Sequence, residues 1–203
     1  MTKCSKYLFY FLLLLATIFH VKAENGQQLL IDSLRLVLEN QRGEEHIQTL
    51  LLIADVYSET NNTLAIKYAN DALKLSISSS DKLNMANSYV HLATYSYAGE
   101  NYDKSLNYSN RALNYYSQLG CLDCLSAVYL DKAAVYSRLG QLDSAHYFSE
   151  ASLEQAYQIY DTLSQVKSLR SIGNVYYKQG KAELALKHFH QALALSKHST
   201  LCC

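Results

Sequence analysis

The chain has 203 residues, no proline and 49% apolar residues, which is enough apolar material to bury a core. The absence of proline favours helices, because no position lacks a backbone hydrogen-bond donor. The 18 basic and 18 acidic residues balance, so no excess positive charge is present for phosphates, and we expect no nucleic-acid partner.

The first 23 residues have the pattern of an export signal. Lys3 and Lys6 precede an apolar run, Tyr7 to Val21, and the small residue Ala23 follows at a cleavage position. As a helix, this run of about fifteen residues spans about 22 Å, shorter than the ~30 Å hydrocarbon core of a bilayer. We therefore predict a cleaved signal peptide over residues 1–23, with a retained membrane anchor as the alternative. The mature chain would be periplasmic or secreted and has no second apolar run that predicts a membrane span.

A single amphipathic helix is predicted next. Apolar residues recur with helical spacing from Leu29 to Leu38, and the pattern ends before Gly43. A stack of helical repeats needs a cover over its first repeat. We therefore predict that residues 24–43 contain an N-terminal capping helix.

A forty-residue repeat organises the rest of the chain. The tetrapeptides NDAL, NRAL, EASL and HQAL end at Leu73, Leu113, Leu153 and Leu193, forty residues apart each time. Each copy contains two helical stripes separated by a polar break, which predicts a helical hairpin. The predicted repeats cover approximately residues 44–80, 81–120, 121–160 and 161–198, within a solenoid over 44–203. In the breaks, Gly140 and Gly180 are expected at positive φ, and the asparagines of ETNN and GENY are expected to replace them in the first two copies.

The last copy, LRSIGNVYYKQGKAELALKHFHQAL, resembles a tetratricopeptide repeat. The residues at the signature positions of that family are Leu169, Gly173, Tyr176, Gly180, Ala185, Phe189 and Ala192. The third copy matches at fewer positions, and the first two are looser. This resemblance implies an all-α, right-handed α-solenoid of about four helix-turn-helix repeats. The order of export signal, capping helix and forty-residue units is also similar to extracytoplasmic sensor regions of bacterial signalling proteins.

The family resemblance implies a concave groove that binds a protein or peptide. Its inward-facing positions correspond to Tyr57, Val90, Thr94, Tyr97, Leu130, Ala134, Ser137, Arg170, Asn174 and Tyr177. Arg170 and Asn174, one helical turn apart, resemble half of the carboxylate clamp of chaperone-binding members. The implied function is a non-catalytic binding scaffold, the sensor or interaction part of an extracytoplasmic signalling protein. Self-association through an exposed end of the solenoid is a further interpretation.

Two cysteines offer a rival hypothesis. Cys121 and Cys124 form a C-x-x-C pattern at the expected start of a helix, where the helix dipole lowers the pKa of a thiol. An oxidising compartment permits a local disulfide, and we expect either that bond or free thiols. The alternative function is a thiol-disulfide oxidoreductase or redox-responsive protein. A thioredoxin-like enzyme, however, needs a βαβ setting, and no strand is predicted.

The histidines of the last repeat do not predict a metal site. His188 and His190 are two residues apart in a helix, about 200° around its axis, so they cannot chelate one ion together. His188 occupies the ring position of Tyr68, Tyr108 and Phe148 in the other copies, and we predict that it packs as a ring. No nucleotide-binding, nucleophile-elbow or zinc-protease motif occurs. We therefore expect no metal, no cofactor and no enzymatic activity.

Overall fold

The computed structural model describes residues 26–200, with side chains described to residue 197. The predicted signal peptide and the terminal Cys202 and Cys203 lie outside these residues. The helices are α1 (26–40), α2 (Gly43–Ser58), α3 (Asn62–Ser78), α4 (Lys82–Ala98), α5 (Tyr102–Leu119), α6 (Leu122–Arg138), α7 (Leu142–Gln158), α8 (Thr162–Lys178) and α9 (Ala182–Thr200). No strand occurs within this part of the chain. The four hairpins α2–α3, α4–α5, α6–α7 and α8–α9 stack in chain order, which confirms the predicted all-α helical-repeat solenoid.

The turns between helices recur at a constant interval. From the end of α3 onward, residues with positive φ lie twenty positions apart, at Ser80, Glu100, Gly120, Gly140, Tyr160 and Gly180. One residue later, a backbone N–H donates to the carbonyl five residues back, as from Lys181 to Tyr176 at 2.9 Å. This is the Schellman arrangement, which pairs carbonyls that a helix end otherwise leaves free. The predicted positive φ at Gly140 and Gly180 is confirmed.

The expected positive φ at the asparagines of the first two breaks is wrong. Asn61 has φ −146° and Asn101 has φ −88°. Their side-chain oxygens accept hydrogen bonds from the backbone N–H groups of Leu64, at 3.1 Å, and Lys104, at 3.2 Å. Each asparagine therefore caps the following helix. Capping satisfies N–H groups that have no partner within the helix, a need that asparagine meets well.

Small side chains allow the two helices of each hairpin to approach closely. The equivalent residues of the four second helices are at most 2% exposed: Ala65, Ser105, Ala145 and Ala185. The last hairpin has a particularly tight contact, where a Cβ atom added to Gly173 would lie 2.6 Å from Cε1 of Phe189. At this position only glycine fits the observed backbone and ring.

A layer of buried serines separates two apolar clusters. The hydroxyl of Ser126 donates to the carbonyl of Ser152 at 2.9 Å, and the hydroxyl oxygens of Ser152 and Ser168 are 2.8 Å apart. The first apolar cluster extends from Ile31 to Val128, and the second is built around Leu169 and Ile172. Because the serines pair with one another and with backbone groups, their burial leaves no unsatisfied hydroxyl.

Helix α1 covers the first hairpin. Ile31 is buried, and Nη2 of Arg35 donates to the hydroxyl of Tyr57 at 2.9 Å. The opposite face of α1 exposes Leu29 and Leu36. None of the described helices is both long enough and apolar enough to cross a membrane.

Replacement of Gly173 by alanine tests the close contact between α8 and α9. Alanine raises helix propensity by about 1 kcal/mol, but overpacking costs about 1–3 kcal/mol when a ring must move. We expect Gly173→Ala to lower the free energy of unfolding by up to about 2 kcal/mol in urea titrations followed by circular dichroism. Phe189→Leu, which shortens the side chain facing position 173, should cost less in the Gly173→Ala background than in the wild type. A stabilised Gly173→Ala variant would contradict the contact.

Candidate functional site

The first helices of the hairpins, α2, α4, α6 and α8, lie side by side and form one surface, which we call the groove. Three cavities open along it: 380 Å³ between α2 and α4, 70 Å³ between α4 and α6, and 420 Å³ between α6 and α8. The second helices lie behind the groove, because their small residues pack against the first helices. The groove therefore contains side chains from all four repeats.

Polar contacts join each first helix to the first helix of the preceding hairpin. The donor lies forty or forty-one residues after the acceptor, so the contacts recur with the repeat. The three contacts are Tyr95 Oη to Asp55 Oδ1 (2.6 Å), Arg138 Nε to Tyr97 Oη (3.1 Å) and Lys178 Nζ to Ser137 Oγ (2.7 Å). They connect neighbouring first helices along the groove.

The structure brings most of the predicted binding residues together. The cavity between α6 and α8 is lined by Leu130, Ala134, Ser137, Arg170 and Asn174, together with Tyr97 from α4. Thr94 and Tyr97 line the smaller cavity between α4 and α6, and Val90 lines the cavity between α2 and α4. Their role in binding stays a prediction.

One predicted groove residue lies elsewhere, and a second does not line a cavity. Tyr57 is only 8% exposed, its ring centroid is 5.6 Å from that of Tyr68, and its hydroxyl accepts a hydrogen bond from Arg35. The prediction that Tyr57 lines the groove is wrong, because α1 covers this tyrosine and α3 packs against it. Tyr177 is 71% exposed on α8, but it is not among the residues that line the cavity between α6 and α8.

Positive side chains that the sequence reasoning missed surround the same cavity. Arg138, Lys167 and Lys178 line it together with Arg170. Three of these cations belong to α8 at spacings of three and eight residues, which places them near one face of the helix. Arg138 and Lys178 are also forty residues apart, so they occupy the same position in successive repeats. This equivalence in the sequence could have identified both residues. Among the described residues, none of the four forms an ion pair.

Asp131 is one of the acidic residues near these cations; Asp161 also acts on Lys167, and Glu100 acts on Arg138. It lies on α6 and lines the cavity between α4 and α6 beside Thr94 and Tyr97. Water reaches its side chain, but the concave surface surrounds the carboxyl with protein atoms. This loss of hydration raises the pKa of Asp131 to about 6, although the positive charge of Lys167 acts to lower it. Asp131 therefore changes charge just below neutral pH.

The other end of the groove has an acid that is already paired. The carboxylate of Asp55 accepts the hydrogen bond from Tyr95 and lies 2.9 Å from Nδ1 of His91. Burial acts to raise the pKa of Asp55, but the hydrogen bonds with His91 and Tyr95 outweigh it and hold this pKa below its ordinary value. Burial and the bond to Asp55 raise the pKa of Tyr95. This cluster joins α2 to α4.

Cys121 and Cys124 form a disulfide at the start of α6, with Cα atoms 5.3 Å apart. A metal site needs several His, Cys, Asp or Glu side chains close together. Within residues 26–197, the two cysteines and Asp123 are the one such group of three. Both sulfurs are bonded to each other, so they do not present thiolates to a metal. The surrounding helices lack the βαβ setting of a thioredoxin-like enzyme, which does not favour the oxidoreductase hypothesis.

The ring of His188 packs as predicted. Its centroid lies 5.4 Å from that of Tyr176, with 21° between the planes. Burial lowers the pKa of His188, which favours the neutral ring. His188 is therefore part of the contact between α8 and α9.

Asp131→Asn tests the environment of the carboxyl. The pKa of Asp131 is about 6 in the folded chain against an ordinary value of 3.8. Between these two pH values the folded state therefore holds a proton that the unfolded state releases. Stability from Asp131 is therefore present at acidic pH and is lost as the pH rises through about 6. Asparagine does not ionise, so we expect the variant to gain stability relative to wild type between about pH 4 and pH 7.5 in urea titrations. If the free energies of unfolding of the two proteins changed with pH in the same way, the raised pKa of Asp131 would be contradicted.

The sequence comparison places the family pattern on the last hairpin. Residues 166–199 match the tetratricopeptide repeat family, a range that includes most of α8 and nearly all of α9. No curated protein matches the sequence. The match covers the residues on which the resemblance was based, from Leu169 to Ala192.

Solved structures show the same fold at low sequence identity. BtubC from P. vanneervenii is 17% identical with a TM-score of 0.76, over 88% of this chain and 76% of that one. A Rap protein complexed with Competence and Sporulation Factor is 19% identical with a TM-score of 0.75, over 89% of this chain and 52% of that one. A signal-transduction ATPase with a tetratricopeptide repeat sensor from Pyrococcus horikoshii is 17% identical with a TM-score of 0.76, over 91% of this chain and 30% of that one. The resemblance is thus confirmed: the last hairpin matches the tetratricopeptide repeat family, and the described chain has the fold of these solved helical-repeat structures.

Proposed function

We propose that this chain is an exported, non-catalytic scaffold that binds a peptide or protein segment in the groove. It would serve as the sensor or interaction part of an extracytoplasmic signalling protein. The observation that carries the proposal is the cavity of 420 Å³ between α6 and α8, into which Arg170 and Asn174 project without a hydrogen-bond partner among the described residues.

The composition of this cavity supports a peptide ligand. Tyr97 and Arg170 are residue types that contribute much of the binding energy at interfaces, since they bury a large area and also make polar contacts. Leu130 and Ala134 add apolar surface between them. Donors on an apolar floor suit an extended segment, because its carbonyls and side chains both find partners.

The similar structures support the same class of function. One of them is a Rap protein in complex with Competence and Sporulation Factor, and another carries a tetratricopeptide repeat sensor. A sensor role for this chain is our inference from that likeness in fold. Export rests on the pattern of residues 1–23, in which Lys3, Lys6 and the apolar run precede Ala23.

Substitutions in the groove test the binding proposal. A random peptide library is screened against residues 24–203, and the best peptide is titrated by calorimetry. We expect the triple variant Tyr97→Ala, Arg170→Ala and Asn174→Ala to weaken binding by at least about tenfold.

The matched control carries Tyr147→Ala, Lys187→Ala and Gln191→Ala, at exposed positions of α7 and α9, and should bind as the wild type does. Circular dichroism verifies that both variants fold. Absence of any selected peptide, or equal losses in the two variants, would contradict the groove.

The export proposal predicts a defined mature N-terminus. The full chain is expressed in a host with a periplasm, and the periplasmic product is sequenced from its N-terminus. We expect it to begin at Glu24, because Ala23 ends the small-residue cleavage pattern. Recovery of the full-length chain from the cytoplasm alone would contradict export.

A further inference from the structure

We propose that the part of the groove between α6 and α8 binds an extended segment with at least two acidic side chains, and that ionised Asp131 weakens this binding. The inference rests on the proposed function, because it specifies the ligand class and the regulation of the same groove.

The charge of this region determines the ligand class. Arg138, Lys167, Arg170 and Lys178 line one cavity. Arg138 donates to the hydroxyl of Tyr97, and Lys178 donates to the carbonyl and hydroxyl of Ser137. These acceptors are neutral, so the hydrogen bonds orient both cations without cancelling their charge. Asp131 and Asp161 act on Lys167, and Glu100 acts on Arg138. Four cations against these three carboxylates leave an excess of positive charge, which an acidic segment complements.

The arrangement along α8 indicates an extended ligand. From Lys167 to Lys178 the helix rises about 16 Å at 1.5 Å per residue. An extended segment of about five residues covers the same distance at 3.3 Å per residue. Two acidic side chains within such a segment can each reach a cation, and Asn174, which lies between Arg170 and Lys178 on α8, offers an amide to the ligand backbone.

Asp131 opposes an acidic ligand. Thr94 and Tyr97 of α4, Ser105 of α5 and Lys167 of α8 are the polar groups that face its surroundings. Lys167 is the charged one among them, so ionised Asp131 acts on the same cation that the ligand needs. It also repels the carboxylates of the ligand.

Protonation of Asp131 removes both effects. Loss of hydration in the concave surface raises the pKa of Asp131 to about 6, so Asp131 is mostly neutral at about pH 5. The glutamate side chains of a ligand, with an ordinary pKa of about 4.3, remain mostly ionised at that pH. Acidic segments should therefore bind more tightly as the pH falls from about 7.5 to about 5.

Fluorescence anisotropy with defined peptides tests the ligand class. The probes are labelled, C-terminally amidated peptides of about ten residues with two glutamates about four positions apart, and counterparts with glutamine or lysine. We expect the glutamate peptide to bind residues 24–203 at least about tenfold more tightly than the glutamine peptide, with a strong salt dependence. A glutamine peptide with a free C-terminus serves as a further probe.

Charge variants separate the two parts of the proposal. Lys167→Gln with Arg170→Gln should abolish the preference for glutamate, whereas Lys104→Gln with Lys187→Gln, on exposed parts of α5 and α9, should retain it. For wild type we expect about three- to tenfold tighter binding at about pH 5 than at about pH 7.5. Asp131→Asn should bind at both pH values as tightly as the wild type binds at about pH 5.

The outcomes distinguish this proposal from the more general one. Equal binding of glutamate and glutamine peptides, or a requirement for a free C-terminus, overturns the acidic-segment proposal while a groove that binds peptides stands. Unchanged pH dependence in Asp131→Asn overturns the role of Asp131. Failure of every defined peptide overturns the acidic-segment proposal, and the library screen then decides whether the groove binds any peptide.

Discussion

The close approach of the two helices in each hairpin is the constraint on which the rest of the structure depends. Alanine or serine at the equivalent positions of the second helices, such as Ala65 and Ser105, leaves no side chain to hold the helices apart. At Gly173, which has no side chain, the backbone of α8 contacts the ring of Phe189 directly. Because the two helices of every hairpin are equally close, the hairpins have similar shapes and stack in register. Their first helices then lie next to one another. The groove is a consequence of this stacking.

Along the groove, polar groups have two different roles. At one end, Asp55 is held by Tyr95 and His91, so its charge serves the contact between α2 and α4. At the other end, Arg138 and Lys178 donate to uncharged oxygens. Hydrogen bonds between successive first helices therefore involve an acidic group at one end of the groove and basic groups at the other. A chain with balanced total charge thus presents a locally positive surface.

The sequence was sufficient for the hairpins, because their determinants are local: small residues, turn glycines and helical periodicity at constant spacing. Asn61 was misread because asparagine suits both positive φ and a helix N-cap, and only the backbone distinguishes them. Tyr57 was misplaced because the packing of α1 on it is a tertiary contact. The cation cluster was missed because Arg138 and Lys167 come from different hairpins. The sequence pattern of a single helix does not show that these two side chains lie close together.

The twenty-residue interval between turns makes the array modular. Every helix from α4 to α9 starts just after a turn of the same geometry, so one unit of forty residues begins and ends in the same orientation. Removing or duplicating such a unit, for instance from Asn101 to Gly140, would leave the faces of its neighbours in place. A single residue added within a helix would instead rotate all following side chains by about 100°. The length of the groove is thus set by the number of repeats. The length of the segment that the groove can contact therefore changes by one repeat at a time.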